Sequence, residues 1–213
     1  MAAIGFVAAT PEHRGLIPDG AHWPAQLEDS EEALAWLVSN SNRFGIDPGR
    51  VAVVGSSSGA HISALMALRD REPPQVPVRR AVLISGALDL LYFAHHDVRS
   101  REYGGMRLER TFSHLLKSSY TDDPIVWQAA SPVSYIDARD PPVLVIHGTD
   151  DGTLPVEQAR SFYDELDAAG VESRLLLIEG GGHEITNSFA FHRVMSEIEA
   201  FLRPLLTPKA TSR

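Results

Sequence analysis

The sequence predicts one α/β domain, spanning residues 1–213, with a mostly parallel sheet and helices on both of its faces. Two observations lead to this fold class. Short β-branched apolar segments alternate along the chain with longer segments of helical periodicity, which is the pattern of a parallel sheet covered by helices. These apolar segments are continuous, as expected for strands that are buried on both faces.

The elements follow in order from the amino terminus. We predict strands at 4–9, 51–54, 80–86, 142–148 and 174–178, and helices from Asp29 or Ser30 to about 45, from the end of the second strand to about 70, at 156–169 and at 187–206. Asp29 or Ser30 is suited to cap the first helix, and Gly170 to end the third.

Residues 87–131 show no regular periodicity, and we expect them to form an insertion over the side of the sheet that carries the functional groups. In an open parallel sheet that side is the edge where the strands end. The segment from 207 to 213 is a polar tail.

Composition excludes several classes of partner. A net charge of −9 argues against a nucleic-acid partner, which requires a basic surface. The absence of cysteine excludes disulfides and thiolate metal sites. No apolar run approaches the length of a membrane span, and residues 1–6 lack the features of a secretion signal. We therefore expect a cytoplasmic chain without a membrane partner, although a segment upstream of residue 1 could carry a signal.

The centre of the chain carries a G-x-S-x-G pattern from Gly55 to Gly59, between a buried strand and a helix. Such a pattern forms a nucleophile elbow, in which a strand turns sharply into a helix with a serine at the apex. We expect both glycines to be required because a Cβ atom would collide where the strand and the helix cross. Ser57 is the candidate nucleophile, held near the positive end of a helix.

Two later strand ends carry the groups that a nucleophilic serine needs. The fourth strand is followed by a loop with Asp150 and Asp151, and the fifth by three glycines and His183. The order Ser57, Asp151, His183 matches the nucleophile–acid–base order of a serine hydrolase built on a parallel sheet. His183 would act as the general base and Asp151 would orient it.

Four further stretches strengthen this interpretation. They lie at 23–29 (WPAQLED), 44–51 (FGIDPGRV), 130–136 (ASPVSYI) and 141–149 (PPVLVIHGT). With the G-x-S-x-G elbow they resemble the α/β-hydrolase superfamily, in its small esterase and lipase branch, and in particular the bacterial feruloyl-esterase-like group. The resemblance covers nearly the whole chain.

The resemblance implies a serine esterase that acts on a small-molecule ester through an acyl-enzyme on Ser57, with neither a metal nor an organic cofactor. It also implies that the backbone N–H of Ser58 donates to the oxyanion hole. An amidase or peptidase of the same fold, such as an arylformamidase, is an alternative, and so is a hydrolase-like chain with little activity that binds a ligand or partner. The acyl and alcohol preferences and the oligomeric state are not predicted.

One feature of the group is missing. Its members begin with further residues that include a strand and a His-Gly-Gly loop, the source of a second oxyanion-hole N–H, and no such loop precedes Ser57 here. Either the chain is an N-terminally shortened form or the segment 4–9 moves into the position of the missing strand. With one donor, we expect activity on activated esters to be low and stability to be reduced.

Other polar residues were weighed as parts of the site. Asp150 is an alternative acid, but Leu-Pro at 154–155 is at the family's spacing from Asp151. Asp89, after the third strand, is a second alternative acid, although a helix or turn cap is the favoured role. We interpret His61 and His147 as packed histidines.

A metal site was also weighed. His95, His96 and Asp97 have suitable chemistry, yet no companion cluster stands at ligand spacing, so we favour a solvated loop. For the aromatic residues of the segment 87–131, two roles remain open: lining an acyl or aromatic pocket, or burying the segment against the body. These residues are Tyr92, Phe93 and Trp127.

Overall fold

The computed structural model describes residues 1–15, 21–69, 76–102, 104–187 and 189–206. Its strands are β1 (Val51–Ser56), β2 (Val78–Ile84), β3 (Arg99–Ser100), β4 (Met106–Arg107), β5 (Val143–Gly148) and β6 (Ser173–Ile178). Its α-helices are α1 (Ala25–Ser39), α2 (Ser41–Phe44), α3 (Ser58–Leu68), α4 (Leu90–His95), α5 (Leu108–Leu116), α6 (Pro124–Ala129), α7 (Glu157–Ala168) and α8 (Phe191–Leu202). Short 3-10 helices occupy Ala2–Ile4, Pro132–Tyr135, Ile185–Asn187 and Arg203–Leu205.

A parallel four-stranded sheet, in the order β1-β2-β5-β6, forms the centre of the molecule. Every residue of β5 is buried, which explains the continuous apolar run in the sequence. On one face the sheet packs against α3 and α7, with Leu83 and Val145 in that core. On the other it packs against α8, with Ile84 and Ile146 facing the helix. The predicted α/β class and parallel sheet are confirmed.

The predicted strand at 4–9 is wrong. Ala2–Ile4 form a 3-10 helix that ends at Gly5, whose φ of 100° lies in the left-handed region, and residues 7–15 are exposed without a ladder partner. The segment therefore does not move into the sheet. Among the described residues, β1 pairs only with β2, and its outer edge borders a groove of about 470 Å³ between residues 6–11 and α1.

The first helix begins four residues earlier than predicted. It starts at Ala25, and neither of the two candidate caps serves that role. The carboxylate of Asp29 instead pairs with Arg14 at 2.7 Å, and the hydroxyl of Ser30 donates to the carbonyl of Gln26. Only the partner of Asp29 is distant in sequence, since Arg14 lies 15 residues away, whereas Ser30 bonds within its own helix.

Other boundaries also differ from prediction. The third predicted strand ends at Ile84 rather than at 86, because Ser85 adopts a left-handed φ of 48°. The last helix is shorter than predicted and is flanked by 3-10 turns, of which the second contains Pro204. The predicted end of the elbow helix near 70 and the tail from 207 lie outside the described residues.

The segment 87–131, predicted to be irregular, contains three short helices and a two-stranded antiparallel ladder of β3 with β4. Its apolar side chains form a separate cluster that includes Phe93 and Trp127. The cluster also contains Leu154, which lies just beyond the end of β5. The segment thus lies over the ends of the parallel strands. Its designation as an insertion stays a prediction. Within the described ranges, no helix is both long and apolar enough to cross a membrane.

Candidate active site

The elbow between β1 and α3 holds Ser57 in a strained backbone conformation, with φ 55° and ψ −121°. Its N–H donates to the carbonyl of Ile84 on β2 at 2.8 Å, which fixes the turn against the sheet. A Cβ atom at Gly55 would meet the backbone carbonyl of Gly59, so glycine is required there. The same expectation for Gly59 is wrong, because a Cβ atom at that position meets nothing within 4 Å.

A chain of hydrogen bonds joins the three side chains predicted to act together. Nδ1 of His183 lies 2.8 Å from Oδ2 of Asp151, and Nε2 of His183 lies 2.9 Å from Oγ of Ser57. A carboxylate only accepts hydrogen bonds, so Nδ1 carries the hydrogen and neutral Nε2 accepts from the serine hydroxyl. The arrangement is that of an activated nucleophile, its base and an orienting acid.

The carboxylate of Asp151 is buried and fully engaged. Its Oδ1 accepts from the backbone N–H groups of Thr153 and Leu154, each at 2.8 Å. Its Oδ2 lies 3.1 Å from Nε2 of His147 as well as 2.8 Å from His183. Burial disfavours the charged form, but the hydrogen bonds from the two histidines and from Leu154 outweigh it and lower the pKa of Asp151. The acid is therefore held ionised.

The pKa of the base, His183, is shifted in the opposite direction. Burial disfavours the imidazolium form of His183, but the hydrogen bond to Asp151 favours it. The negative charges of Asp151, Glu102 and Glu184 favour it further, so the pKa of His183 is raised above its ordinary value. A raised pKa means that a larger share of the imidazole is protonated near neutral pH.

Two loops bring the imidazole over the elbow. The N–H of Asp150, after β5, donates to the carbonyl of Gly181, after β6, at 2.9 Å, and the N–H of Gly180 donates to Oγ1 of Thr149 at 2.9 Å. A Cβ atom at Gly148 would meet the backbone of Gly181. Glycine at position 148 therefore lets the two loops approach closely enough to place the base.

Ser58 is the first residue of α3, so its N–H has no acceptor within the helix. The positive end of the helix dipole adds to the attraction for negative charge at this point. An oxygen bound to the carbon that Ser57 attacks would lie within reach of this N–H, which suits Ser58 to the predicted role of oxyanion donor.

The alternative acids have other partners. Asp150 has a side chain that is 67% exposed and pairs with Arg101 at 2.8 Å. Asp89 caps α4, because its Oδ1 accepts from the N–H groups of Leu91 and Tyr92. The favoured interpretation of Asp89 as a cap is confirmed.

His61 is a packed histidine, as interpreted from the sequence. Its Nε2–H donates to the carbonyl of Ala130 at 2.7 Å, and burial lowers its pKa to about 4. His147 is buried too, but it does more than pack, because its ring contacts the carboxylate of Asp151.

The three polar residues weighed as a metal site face different neighbours. His96 stacks on Tyr92, His95 meets the ring of Tyr120 edge-on, and Asp97 pairs with Arg99 and Arg107. Within the part of the chain that the structure describes, no group of three or more His, Asp or Glu side chains could hold a metal ion.

Phe93 and Trp127 were expected either to line a pocket or to bury the segment 87–131 against the rest of the domain. Both are almost fully inaccessible, so they bury the segment. One wall of the cavity beside Ser57 is formed instead by α5, a helix that the sequence analysis missed. That helix is strongly amphipathic, with Leu108, Phe112 and Leu115 at helical spacing, and this periodicity could have revealed it.

Comparison with known proteins agrees with this geometry. The BD-FAE family model matches residues 1–166. Esterase LipQ of Mycobacterium tuberculosis is 33% identical over 149 residues, which are 70% of this chain and 35% of LipQ. Esterase LipC of the same organism is 30% identical over 187 residues, which are 86% of this chain and 46% of LipC. The chain thus spans less than half the length of these relatives.

Solved structures share the fold. A truncated carbohydrate esterase from gut microbiota superposes with a TM-score of 0.71 and 22% identity, over 88% of this chain and 70% of that one. The butyrate-bound esterase Est2 of Thermogutta terrifontis superposes with a TM-score of 0.68 and 24% identity, over 89% of this chain and 69% of that one.

Proposed function

Because this chain belongs to the BD-FAE family, whose model matches residues 1–166, we propose that it hydrolyses small carboxylic esters through an acyl-enzyme on Ser57. The observation that carries the proposal is the continuous chain of hydrogen bonds from Ser57 through His183 to Asp151. Curated relatives described as esterases support the choice of an ester substrate.

Acylation begins when Oγ of Ser57 attacks the ester carbonyl carbon while Nε2 of His183 takes the hydroxyl proton. The carbonyl oxygen becomes an oxyanion that the N–H of Ser58 stabilises. Asp151 stabilises the imidazolium without taking its proton. The carbon–oxygen bond to the alcohol then breaks, and His183 returns the proton to the departing oxygen, which leaves the acyl group on Ser57.

Deacylation repeats the sequence with water. His183 takes a proton from the water as its oxygen attacks the acyl carbon, and a second oxyanion forms at the same N–H. Collapse of this intermediate breaks the bond to Oγ of Ser57, and His183 gives its proton to that oxygen. A carboxylic acid leaves and the free serine is restored.

A fluorophosphonate probe and an aryl acetate assay test the proposal. We expect the probe to label the chain at Ser57, and Ser57→Ala and His183→Ala to abolish both labelling and turnover. Ser56→Ala is the matched control, because that neighbouring serine lies on β1 and the hydroxyl bonded to Nε2 of His183 is that of Ser57. Labelling that persists in Ser57→Ala, or a wild-type chain that is neither labelled nor active, would refute the proposal.

A further inference from the structure

A cavity of about 300 Å³ opens beside the nucleophile, between the elbow and the segment that lies over the strand ends. Its walls come from three parts of the chain: the elbow and its surroundings, β4 with α5, and the loop that follows β5. The lining residues include Ser57, Ser58, His61, Phe112, Leu115 and Thr153.

The walls of this cavity carry no charge. Among the described residues, the only titratable side chain that lines it is His61. Burial keeps this side chain neutral, and its Nε2–H donates to the carbonyl of Ala130. The hydroxyl of Thr153 is also engaged, since it donates to Glu102 at 2.6 Å. The hydroxyl of Thr111 also lines the cavity, and its Oγ1 has no hydrogen-bond partner among the described residues. A charged group that entered would therefore lose its water and find neutral hydroxyls but no opposite charge.

The α5 wall is held in place from behind. Phe112 stacks on Phe93 with ring centroids 4.9 Å apart, and Phe93 is itself only 1% exposed in the cluster that anchors the segment. Since this support is a packed aromatic pair rather than a solvated loop, the cavity has a defined depth.

On the basis of the proposed function, we propose that this cavity is the acyl subsite, and that it selects compact, uncharged, aliphatic acyl groups. Both Ser57 and Ser58 border it, so a carbonyl carbon at Oγ with its oxygen at the Ser58 N–H directs one substituent into the cavity. His183 is not among the lining residues, and the departing alcohol must lie beside its Nε2 to receive the proton. The acyl chain therefore enters the cavity and the alcohol lies outside it.

Volume sets the expected length. A cavity of about 300 Å³ is at the lower end of the range of roughly 300–1,000 Å³ for small-molecule pockets. Each methylene that finds room should raise kcat/KM by roughly four- to tenfold, and the gain should stop where the chain meets the α5 wall.

We choose Leu115 as the position at which to alter the α5 wall. Leu115 and Phe112 are both half-buried, but Phe112 also stacks on Phe93, so replacing Leu115 disturbs packing less. Leu115→Ala should move the preferred acyl chain to a longer length, and Leu115→Trp should move it to a shorter one. Ile125→Ala is the matched control, because Ile125 belongs to the same segment but is 76% exposed and does not line the cavity.

The experiment measures kcat/KM for p-nitrophenyl esters from acetate to octanoate, and for acetate esters of a series of alcohols, in the wild type and the three variants. We expect opposite shifts of the acyl optimum in the two Leu115 variants, none in Ile125→Ala, and no change in the alcohol series. Fluorophosphonate labelling of each variant is recorded in parallel.

The outcomes separate the two proposals. If every chain is labelled at Ser57 but the acyl optimum does not move with Leu115, or the alcohol preference moves instead, the acyl assignment is overturned while the esterase proposal stands. Absence of both labelling and turnover overturns the proposed function and the acyl assignment with it.

Discussion

Nε2 of His147 lies 3.1 Å from Oδ2 of Asp151, the same oxygen that accepts the Nδ1–H of His183 at 2.8 Å. The same Nε2 lies 3.2 Å from the carbonyl of Leu154, and both of these neighbours only accept hydrogen bonds. Nε2 therefore carries the hydrogen, while the buried Nδ1 has no partner in the described part of the chain. His147 is a donor that holds the carboxylate in its orientation.

Removal of this donor should slow the reaction without weakening substrate binding. His147→Leu is expected to lower kcat by about 10- to 100-fold with little change in KM, because hydrogen bonds to charged groups contribute about 1.5–3 kcal/mol. His147→Gln retains an N–H donor and should recover part of the loss. Steady-state kinetics and melting temperatures of the two variants decide between a positioning role and a packing role. Equal losses of kcat in both, in proportion to lost stability, would indicate packing alone.

The adjacent aspartates offer a second test. Asp151→Asn should reduce kcat by about 10⁴-fold, since an amide no longer fixes the tautomer of the base. Asp150→Asn should leave kcat nearly unchanged, because its side chain is exposed and pairs only with Arg101. Turnover of one aryl ester by both variants is the measurement. A crippling Asp150→Asn beside an active Asp151→Asn would reverse the assignment of the acid.

Local patterns explain what could be predicted from the sequence. The elbow was recognisable because strand, glycines, serine and helix follow one another within about twenty residues. Asp151 and His183 were recognisable because polar residues after buried strands must meet at one edge of a parallel sheet. The contact of His147 with Asp151 could not be recognised in the sequence. It forms because the loop after β5 turns back, so that Asp151 reaches a residue of that strand four positions earlier.

The predictions of a strand at 4–9 and of irregular structure at 87–131 were wrong because local sequence does not determine either structure. The strand predicted at 4–9 is apolar, but a strand also needs a neighbour for its backbone, and tertiary structure supplies none there among the described residues. The helices of 87–131 are short, and α4 and α6 span six residues each, too few for a hydrophobic period to be recognised.

The elbow glycines give a third prediction, which corrects an expectation from the sequence. Gly55→Ala should abolish activity and lower the melting temperature, because the new Cβ atom would meet the carbonyl of Gly59 and force strand and helix apart. Gly59→Ala should be tolerated, since the space there is open and alanine favours a helix over glycine by about 1 kcal/mol. Melting curves and fluorophosphonate labelling of the two variants test the contrast. An equally damaging Gly59→Ala would show that the helix start lies closer to its surroundings.

Stability should depend on pH through His61. Its pKa is about 4 in the folded chain, against about 6.5 in an unfolded one, so below pH 6.5 the unfolded state binds a proton that the folded state does not. The free energy of unfolding therefore decreases as pH falls from 6.5 to 4, by about 3 kcal/mol at most.

His61→Gln keeps an N–H for the carbonyl of Ala130 but has no titratable ring. Urea unfolding at pH 7 and pH 4.5 should show a smaller difference in this variant than in the wild type. His192→Gln is the control, because that histidine is exposed on α8. The same pH difference in wild type and His61→Gln would contradict the burial of a neutral imidazole.

The acidic limb of the activity profile gives the last prediction. Acylation needs neutral His183, and the pKa of His183 is raised, so activity should increase with pH through a midpoint above the ordinary histidine value of about 6.5. Three carboxylates raise this midpoint: Asp151, which is hydrogen-bonded to the imidazole, and Glu102 and Glu184, which act through their charge.

Glu102→Gln removes one of those negative charges while keeping an oxygen that can accept from Thr153. The imidazolium then loses a favourable interaction, so the pKa of His183 falls and the limb moves to lower pH. Glu165→Gln, an exposed carboxylate on α7, should leave the limb in place. The profiles of kcat/KM for one aryl ester from pH 5 to 9 compare the three chains at constant ionic strength, because salt screens such charges. A limb that stays fixed in Glu102→Gln, or moves to higher pH, would mean that the charge of Glu102 does not act on the base.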